Sequence, residues 1–391
     1  MFWIIFYVIS EKQDNFAAQN NIMVNRSSDY TLIRQSVSTT PSFDNDRSLV
    51  LNGDSLQLMK ELPDHCVSLL LTDPPYHSTK KDNIVGDCSF KTDEDFLAWI
   101  RAYAVEWKRI LKPNGSAFMF CSSAMEARLD LVLSEHFNVL SHIVWTKPNE
   151  PGYDGWKGKM KKEALRQWYP QSERIIFFEP ASEGNMNRSY FGNLLREMRK
   201  QCGISAHELT EIIGAYGKVN HGGAVSNWET GRNVPSPEQY QKMSDAFKER
   251  GIMDGLPAYE DTIRPFEVNA NVEFTDVWNF PSVKQYPGKH PAEKPIEMLE
   301  HCIKSTTFEG DIVLDCFAGS GSTLVAALRC HRRAIGMEID RQWCKAIQDR
   351  LSTLSKVNIN TTSGYKLMKG SSQKKTETAM PSLFDMELLA V

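Results

Sequence analysis

Val67-Ser68-Leu69-Leu70-Leu71-Thr72-Asp73-Pro74-Pro75-Tyr76 and Ile312-Val313-Leu314-Asp315-Cys316-Phe317-Ala318-Gly319-Ser320-Gly321-Ser322-Thr323 are the two stretches that decide the fold. Each is a short apolar run that leads straight into a polar or glycine-rich turn. Runs of this kind, bounded by turn residues, read as strands. The first ends in a carboxylate, two prolines and an aromatic ring. The second ends in small residues that let backbone approach a ligand closely.

Outward from these stretches, strands and helices alternate. Leu49–Leu51, Val67–Thr72, Ser116–Cys121, Val139–Trp145 and Arg174–Phe178 read as strands. Residues 94–111 read as a helix, with Phe96, Leu97, Ile100, Tyr103, Ala104 and Trp107 at helical spacing. Lys112-Pro113-Asn114-Gly115 is its expected stop. Met125–His136 is a second helix. From residue 182 to 260 the alternation gives way to consecutive helices. It resumes with a helix at 295–306, a strand at 312–314, a helix at 322–329, a strand at 334–337 and a helix at 341–354. The pattern predicts an α/β protein with a largely parallel sheet. The expected organisation is a catalytic half at 47–181, a helical insertion at 182–260 and a cofactor half at 261–356. Residues 1–46 are expected to be without order, and 357–391 to be a polar, mobile tail.

The chain has 391 residues, 41% hydrophobic and 24% charged, with a net charge of −4. That is a soluble globular balance without a global basic signal, so contact with nucleic acid must rest on local patches. Eight cysteines are dispersed without a CxxC pair, which argues against a zinc site and fits reduced thiols in a cytoplasmic setting. No metal is expected. The apolar start, residues 1–9, lacks the features of an export signal and is too short to span a bilayer. An over-extended start, with the working chain beginning near Met23, is the expectation there.

In an open α/β sheet, ligands bind beyond the carboxyl ends of the strands. Gly319 and Gly321 follow such an end. Glu338 lies at the end of the next strand, roughly 20 residues on, where a carboxylate meets ribose hydroxyls. A glycine-rich turn by itself is also an ordinary tight turn. Glu338 favours the nucleotide-like reading, and the lack of a Walker-type lysine argues against ATP. At the other strand end, Asp73 and the carbonyl of Pro74 could each accept one hydrogen of an exocyclic amine. Such acceptors localise the nitrogen lone pair as charge develops there. Tyr76 could stack on a base turned out of a duplex, and Pro74 and Pro75 stiffen the turn. None of the cysteines follows a proline, so a covalent cysteine route to cytosine carbon-5 is not expected. Cys316 is expected to be a packed apolar residue.

Asp-Pro-Pro-Tyr first and Phe-x-Gly-x-Gly second, with helices between, resembles the beta class of amino-DNA methyltransferases. Asn52-Gly53-Asp54, Trp145-Thr146-Lys147-Pro148-Asn149 and His290-Pro291-Ala292-Glu293-Lys294-Pro295 add to the resemblance, which spans residues 48–354. Cys316 stands where the family often has proline, and Ser322 where it often has threonine. The resemblance implies a Rossmann-like sheet in circularly permuted motif order and S-adenosylmethionine as cofactor. It implies catalytic or base-binding roles for Asp73, Pro74, Pro75 and Tyr76. Cofactor contacts would come from Asp315, Phe317, Gly319, Gly321, Ser322 and Glu338, with Asp54, His290 and Lys294 as further members. Asp rather than Ser at position 73 leans towards N6-adenine over N4-cytosine.

The insertion resembles a Cro/repressor helix-turn-helix, through Val225-Ser226-Asn227-Trp228-Glu229-Thr230-Gly231-Arg232 and the following Pro235. Its third helix would present Gly223, Ala224, Ser226 and Asn227 to base edges in duplex DNA, with Arg232 nearby, while Trp228 belongs to the core. The same module could instead serve packing between copies of the chain. Lys157, Lys159, Lys161, Lys162 and Arg166, interleaved with Tyr153, Trp156 and Trp168, suit a phosphate-tracking loop or a solvated face. The expectation is a DNA adenine methyltransferase of phage or mobile-element type, with sequence specificity left open. Its rivals are an N4-cytosine enzyme, an RNA methyltransferase and a DNA-binding regulator on an inactive methylase sheet.

Overall fold

The computed structural model describes residues 28–77, 90–147, 163, 166, 168, 171–181, 189–215, 223–268 and 274–363, with side chains as far as residue 354. The first described element is a helix, α1 (28–36), followed by the short strand β1 (Phe43–Asp44). This corrects the expectation that everything before residue 47 lacks order. Tyr30 and Ile33, three residues apart, are buried in the main core, and the Tyr30 hydroxyl donates to the Asn45 carbonyl at 3.0 Å. Two buried residues, with Leu32 beside them exposed, are too few to show a period. The proposed start at Met23 lies outside the described residues.

Then come β2 (Ser48–Asn52), α2 (Ser55–Met59), β3 (Val67–Thr72), α3 (Asp93–Ile110), β4 (Leu111–Cys121), α4 (Glu126–Leu133), β5 (Phe137–Thr146) and β6 (Ser172–Pro180). α3 begins at Thr92, whose side chain accepts from the Asp95 N–H. Three acidic residues occupy its first turn, and Lys108 and Arg109 its last. Cap and charges both satisfy the helix ends. The helix stops one residue before Lys112-Pro113-Asn114-Gly115. Leu111 already pairs with Val67, and pairing resumes at Leu69 with Ser116, so those four residues bulge out of the strand.

Five helices follow: α5 (Tyr190–Gln201), α6 (Ala206–Ile213), α7 (Gly223–Glu229), α8 (Pro237–Glu249) and α9 (Tyr259–Thr262). They enclose an apolar cluster of their own, which includes Phe191, Leu209, Val225, Trp228, Met243 and Phe247. Trp228 is core, as expected. Gly192 lets α5 lie directly on α7, because a Cβ there would stand 2.7 Å from the Glu229 carbonyl oxygen. The bulge holds this cluster to the sheet: the Asn114 amide donates to the carbonyls of Glu260 and Ile263 at 2.9 and 3.2 Å.

The sheet is completed by β7 (Val277–Asn279), α10 (Ile296–Thr306), β8 (Ile312–Asp315), α11 (Ser322–Arg329), β9 (Arg333–Glu338) and α12 (Arg341–Ser363). α12 runs past the expected end at Leu354, into the stretch read as tail; residues 364–391 lie outside the described set. By contacts the chain divides into residues 1–351 and 352–391.

Nine strands pair in the order β1-β2-β9-β8-β3-β4-β6-β5-β7. β2, β9, β8, β3 and β4 run parallel; β6 is antiparallel to both its neighbours. All six residues of β3 and all four of β8 are buried, which is why both appear in the sequence as largely apolar runs. β3 pairs with β8 in register Leu69 to Val313 and Leu70 to Leu314. From β8 the chain continues to β9 on one side, and from β3 to β4 on the other. The order therefore reverses between them, and such a switch point opens a crevice at the strand ends.

Candidate active site

Asp73-Pro74-Pro75-Tyr76 and the glycine-rich turn after β8, about 240 residues apart, leave the sheet side by side. Thr72 Oγ1 lies 3.2 Å from Asp315 Oδ1 and 3.3 Å from Cys316 Sγ. Beyond them is a cavity of about 760 Å³, lined by Asp73, Pro74, Pro75 and Tyr76 from one turn and residues 315–320, Ser322 and Thr323 from the other. Asp54, His290, Lys294 and Glu338 also line it. Cys316 is buried among apolar side chains, as expected.

The glycine loop is shaped by contacts that only glycine allows. Gly319 (φ +49°) would place a Cβ 3.2 Å from the His290 ring. Gly321 (φ +77°) would place one 2.9 Å from Ile347 Cγ1. Gly321→Val combines a left-handed backbone with that collision. It is expected to cost about 2–4 kcal/mol of stability and to weaken binding of S-adenosylhomocysteine at least tenfold. Thermal denaturation and titration calorimetry check both.

Glu338 Oε2 accepts the Gly319 N–H at 2.7 Å, and Oε1 accepts the Asp340 N–H at 2.8 Å. Each oxygen keeps a lone pair, the arrangement two vicinal hydroxyls require. Burial raises the Glu338 pKa, against the pull of these two N–H groups. Asp315 is pushed up to about 7 by burial, opposed by bonds from Thr323, the Phe317 N–H and Thr72. The Phe317 ring packs on Trp99 and Tyr103, with centroids 5.5 and 5.1 Å away. Asp54 caps α2 by accepting the Leu56 N–H at 3.0 Å. His290 stands edge-on to Trp343, centroids 4.5 Å apart, and its Nδ1 accepts the Ala292 N–H at 3.2 Å. Ser322 Oγ donates to Glu293 at 3.2 Å. Glu293 also takes the Tyr286 hydroxyl at 2.6 Å and Arg350 at 3.3 Å, tying the His290–Pro295 string to the glycine loop. A flat apolar wall, a glycine cradle and a carboxylate with spare lone pairs fit the nucleoside part of S-adenosylmethionine.

Asp73 stands differently. One oxygen, Oδ2, pairs with the Lys294 ammonium; Oδ1 is buried and has no hydrogen-bond partner among the described residues. An unsatisfied buried acceptor costs about 1–3 kcal/mol, which an arriving N–H would relieve. The sequence motif assigns Lys294 to the cofactor; its ammonium instead reaches Asp73, lies 3.7 Å from Glu173, and sits 5.6 and 5.0 Å from the Tyr76 and Phe120 ring centres. Glu173, on β6, also pairs with Lys147 and accepts the Tyr76 hydroxyl at 3.3 Å. Burial raises the Asp73 carboxyl by more than Lys294 lowers it. Burial lowers Lys294, but Asp73 and Glu173 outweigh it and hold its pKa above the ordinary lysine range. Glu173 is held low, its burial outweighed by Lys294 and Lys147.

Sequence reasoning missed Glu173, Trp99, Tyr103 and Glu293 as site residues. The only local signal for Glu173 is a carboxylate at the head of an apolar run, Ile175–Phe178. Among the described residues, Gly321, Ser226, Asn227 and Arg232 are not part of the cavity lining. Ser226 and Asn227 are half-buried on α7, and Arg232 is exposed just beyond it. Arg166 and Trp168 are exposed, whereas Lys157, Lys159, Lys161 and Lys162 lie outside the described residues. Among the described residues, no cluster of three or more His, Cys, Asp and Glu could hold a metal, and no helix is long and apolar enough to cross a membrane.

The profile of the N6/N4 DNA methylase family matches residues 67–349. "Putative methylase YubD" of Escherichia coli (strain K12) is 51% identical over 316 residues, covering 79% of this chain and 92% of that protein. DNA adenine methyltransferase YhdJ of the same strain is 25% identical over 316 residues, covering 80% and 85%. Type II methyltransferase M2.DpnII of Streptococcus pneumoniae is 24% identical over 339 residues, covering 82% and 95%.

Proposed function

The chain belongs to the N6/N4 DNA methylase family, and from that premise we propose that its target is the N6 amine of adenine in double-stranded DNA. The family's methyl donor, S-adenosylmethionine, supplies an electrophilic methyl group and departs as a neutral thioether. Gly319, Phe317 and Glu338 would hold its nucleoside part, Gly321 would shape the loop behind it, and the His290–Pro295 string would border it. The observation that carries the reading is the Asp73 carboxylate, at the cavity floor with Oδ1 unpaired among the described residues.

An exocyclic amine is a poor nucleophile because its lone pair is delocalised into the ring. Asp73 Oδ1 accepts one amine hydrogen, and the Pro74 carbonyl is placed by its rigid turn to accept the other. Together they favour the pyramidal nitrogen of the transition state. The nitrogen sheds a proton when it gains the methyl group, and Asp73 takes it. A carboxyl whose pKa is raised by burial is the better base for that transfer. Tyr76, with its hydroxyl on Glu173, offers a fixed ring for the extruded base to lie against.

Adenine over cytosine rests on Asp at position 73 and on the similarity to a relative named as a DNA adenine methyltransferase. Incubation with labelled donor and unmethylated DNA, followed by nucleoside digestion, tests it. Label in N6-methyladenine supports the reading. Label in N4-methylcytosine replaces the target base, and unlabelled DNA overturns the function.

The helices at 190–262 supply the contact with duplex DNA, as a helix-turn-helix whose α7 carries Ser226 and Asn227 and is followed by Arg232. Their partial exposure supports this, as does a Trp228 side chain turned into the core. Combining Ser226→Asp, Asn227→Asp and Arg232→Glu is expected to lower DNA affinity about 10- to 100-fold at fixed salt. Affinity for S-adenosylhomocysteine should be unchanged. Fluorescence anisotropy with labelled duplex checks it, and unaltered DNA affinity would remove the insert from the interface.

A further inference from the structure

Glu173 belongs to none of the motifs that define the site, yet it meets the Lys294 ammonium that pairs with Asp73, Lys147 and the Tyr76 hydroxyl. It enters from β6, the antiparallel strand, whereas Asp73 ends β3 and Lys294 precedes α10. Its carboxylate pairs with Lys147, stands 3.7 Å from the Lys294 ammonium and accepts the Tyr76 hydroxyl at 3.3 Å. Lys294, only 8% exposed, is therefore shared by two carboxylates. The four groups carry two negative and two positive charges, a neutral set that can be buried without a leftover charge.

Sharing has a chemical consequence. A lysine given wholly to Asp73 would stabilise its ionised form strongly and make it a weak proton acceptor. A second carboxylate on the same ammonium draws part of that stabilisation away. We propose that Glu173 is a positioning residue for methyl transfer: by sharing Lys294 with Asp73 and anchoring the Tyr76 hydroxyl, it keeps the Asp73 carboxylate aimed at the amine and only partly engaged by the cation. This rests on the amino-methyltransferase reading above and adds to it the residue that sets the state of the acceptor.

The groups facing Asp73 are Lys294 from the loop before α10, Glu173 from β6, Tyr76 from its own strand end, Asp315 from β8 and Cys121 from the end of β4. Of these, Lys294 and the Tyr76 hydroxyl lower the Asp73 pKa and Glu173 raises it. Asp73 acts when ionised, so activity is lost as pH falls through its pKa. Taking away the negative charge of Glu173 lowers that pKa, and the acid limb moves to lower pH while the weaker base slows the reaction.

The test is single-turnover methylation of unmethylated genomic DNA by Glu173→Gln, from about pH 5 to pH 9, beside wild type and Glu173→Asp. For Glu173→Gln, a rate about 10- to 100-fold lower at the optimum is expected, with the acid limb displaced to lower pH. S-adenosylhomocysteine affinity by calorimetry should stay within about threefold, since Glu173 lies on the base side of the cavity. Glu173→Asp, which keeps the charge, should keep the wild-type acid limb and recover part of the rate. A Glu173→Gln enzyme with the wild-type rate, or a slower one with an unmoved acid limb, would overturn the assignment. Should Glu173→Gln fail to fold, a displaced acid limb in Glu173→Asp counts against it in the same way. If wild type itself leaves DNA unmethylated, the functional reading fails before Glu173 is in question.

Discussion

Asp73→Ala should reduce methyl transfer to DNA by about 10³-fold or more while leaving cofactor binding within about threefold of wild type. The asymmetry comes from the separate roles of the two oxygens. Oδ1 has no partner among the described residues, so its loss breaks nothing in the fold; Oδ2 engages Lys294, which keeps Glu173 at 3.7 Å when Asp73 is gone. The glycine loop and Glu338 do not depend on Asp73, and the nucleoside cradle should survive. Asp73→Asn, which preserves shape but accepts through one oxygen only and cannot take the proton at neutral pH, should be nearly as inactive. Single-turnover rates with labelled donor, beside calorimetry with S-adenosylhomocysteine, check both halves. Parallel loss of rate and of cofactor affinity would mean that Asp73 supports the cofactor and not the amine.

Lys294→Met carries the second large effect, and its sign in pH is opposite to that of Glu173→Gln. Lys294 lowers the Asp73 pKa, against the burial that raises it. Without the ammonium, Asp73 and Glu173 face each other as two buried carboxylates, and one of them holds a proton at neutral pH. An Asp73 that is protonated offers one acceptor fewer and cannot take the amine proton. The rate at neutral pH should fall about 10²- to 10³-fold, roughly 3–4 kcal/mol of barrier. The acid limb should move to higher pH, so that raising the pH recovers part of the loss. A Lys294→Met profile that drops without moving would place the lysine elsewhere, for example on the cofactor. Methionine preserves the length and apolar stem of lysine, which limits the packing change.

The strand ends were legible in the sequence because their physics is local. β3 and β8 are buried on both faces, so each is a largely apolar run, and the turn after such a run in a parallel sheet faces the crevice. The glycine positions were legible for the same reason: a left-handed turn and a close approach to Ile347 leave glycine as the unstrained residue. The parts that were not legible are non-local. Nothing near Lys294 says that its ammonium ends on Asp73, 221 residues earlier. Glu173 sits in a strand that reads as sheet core, and only the pairing of β6 beside β4 brings it to Tyr76 and Lys294. The three-residue β7 is too short to show a period, and α1 buries only one face of a polar helix.

The charge arrangement also bears on the proposed approach of a nucleobase to the Asp73 carboxylate. The carboxylates at Asp73 and Glu173 are matched by Lys294 and Lys147, so the surroundings of Asp73 carry paired charges. Under the proposed function, duplex phosphates would meet other surfaces, and the helical insert is the one proposed to receive them.

The most direct single measurement is modification-sensitive sequencing of DNA from cells lacking other adenine methylation, expressing either the wild-type chain or Asp73→Ala. Expected are N6-methyladenine in the wild-type sample, its sequence context visible in the same data, and its absence with Asp73→Ala at equal protein level. Unmodified adenine in the wild-type sample, or methylation that persists with Asp73→Ala, would contradict methyl transfer to adenine through Asp73.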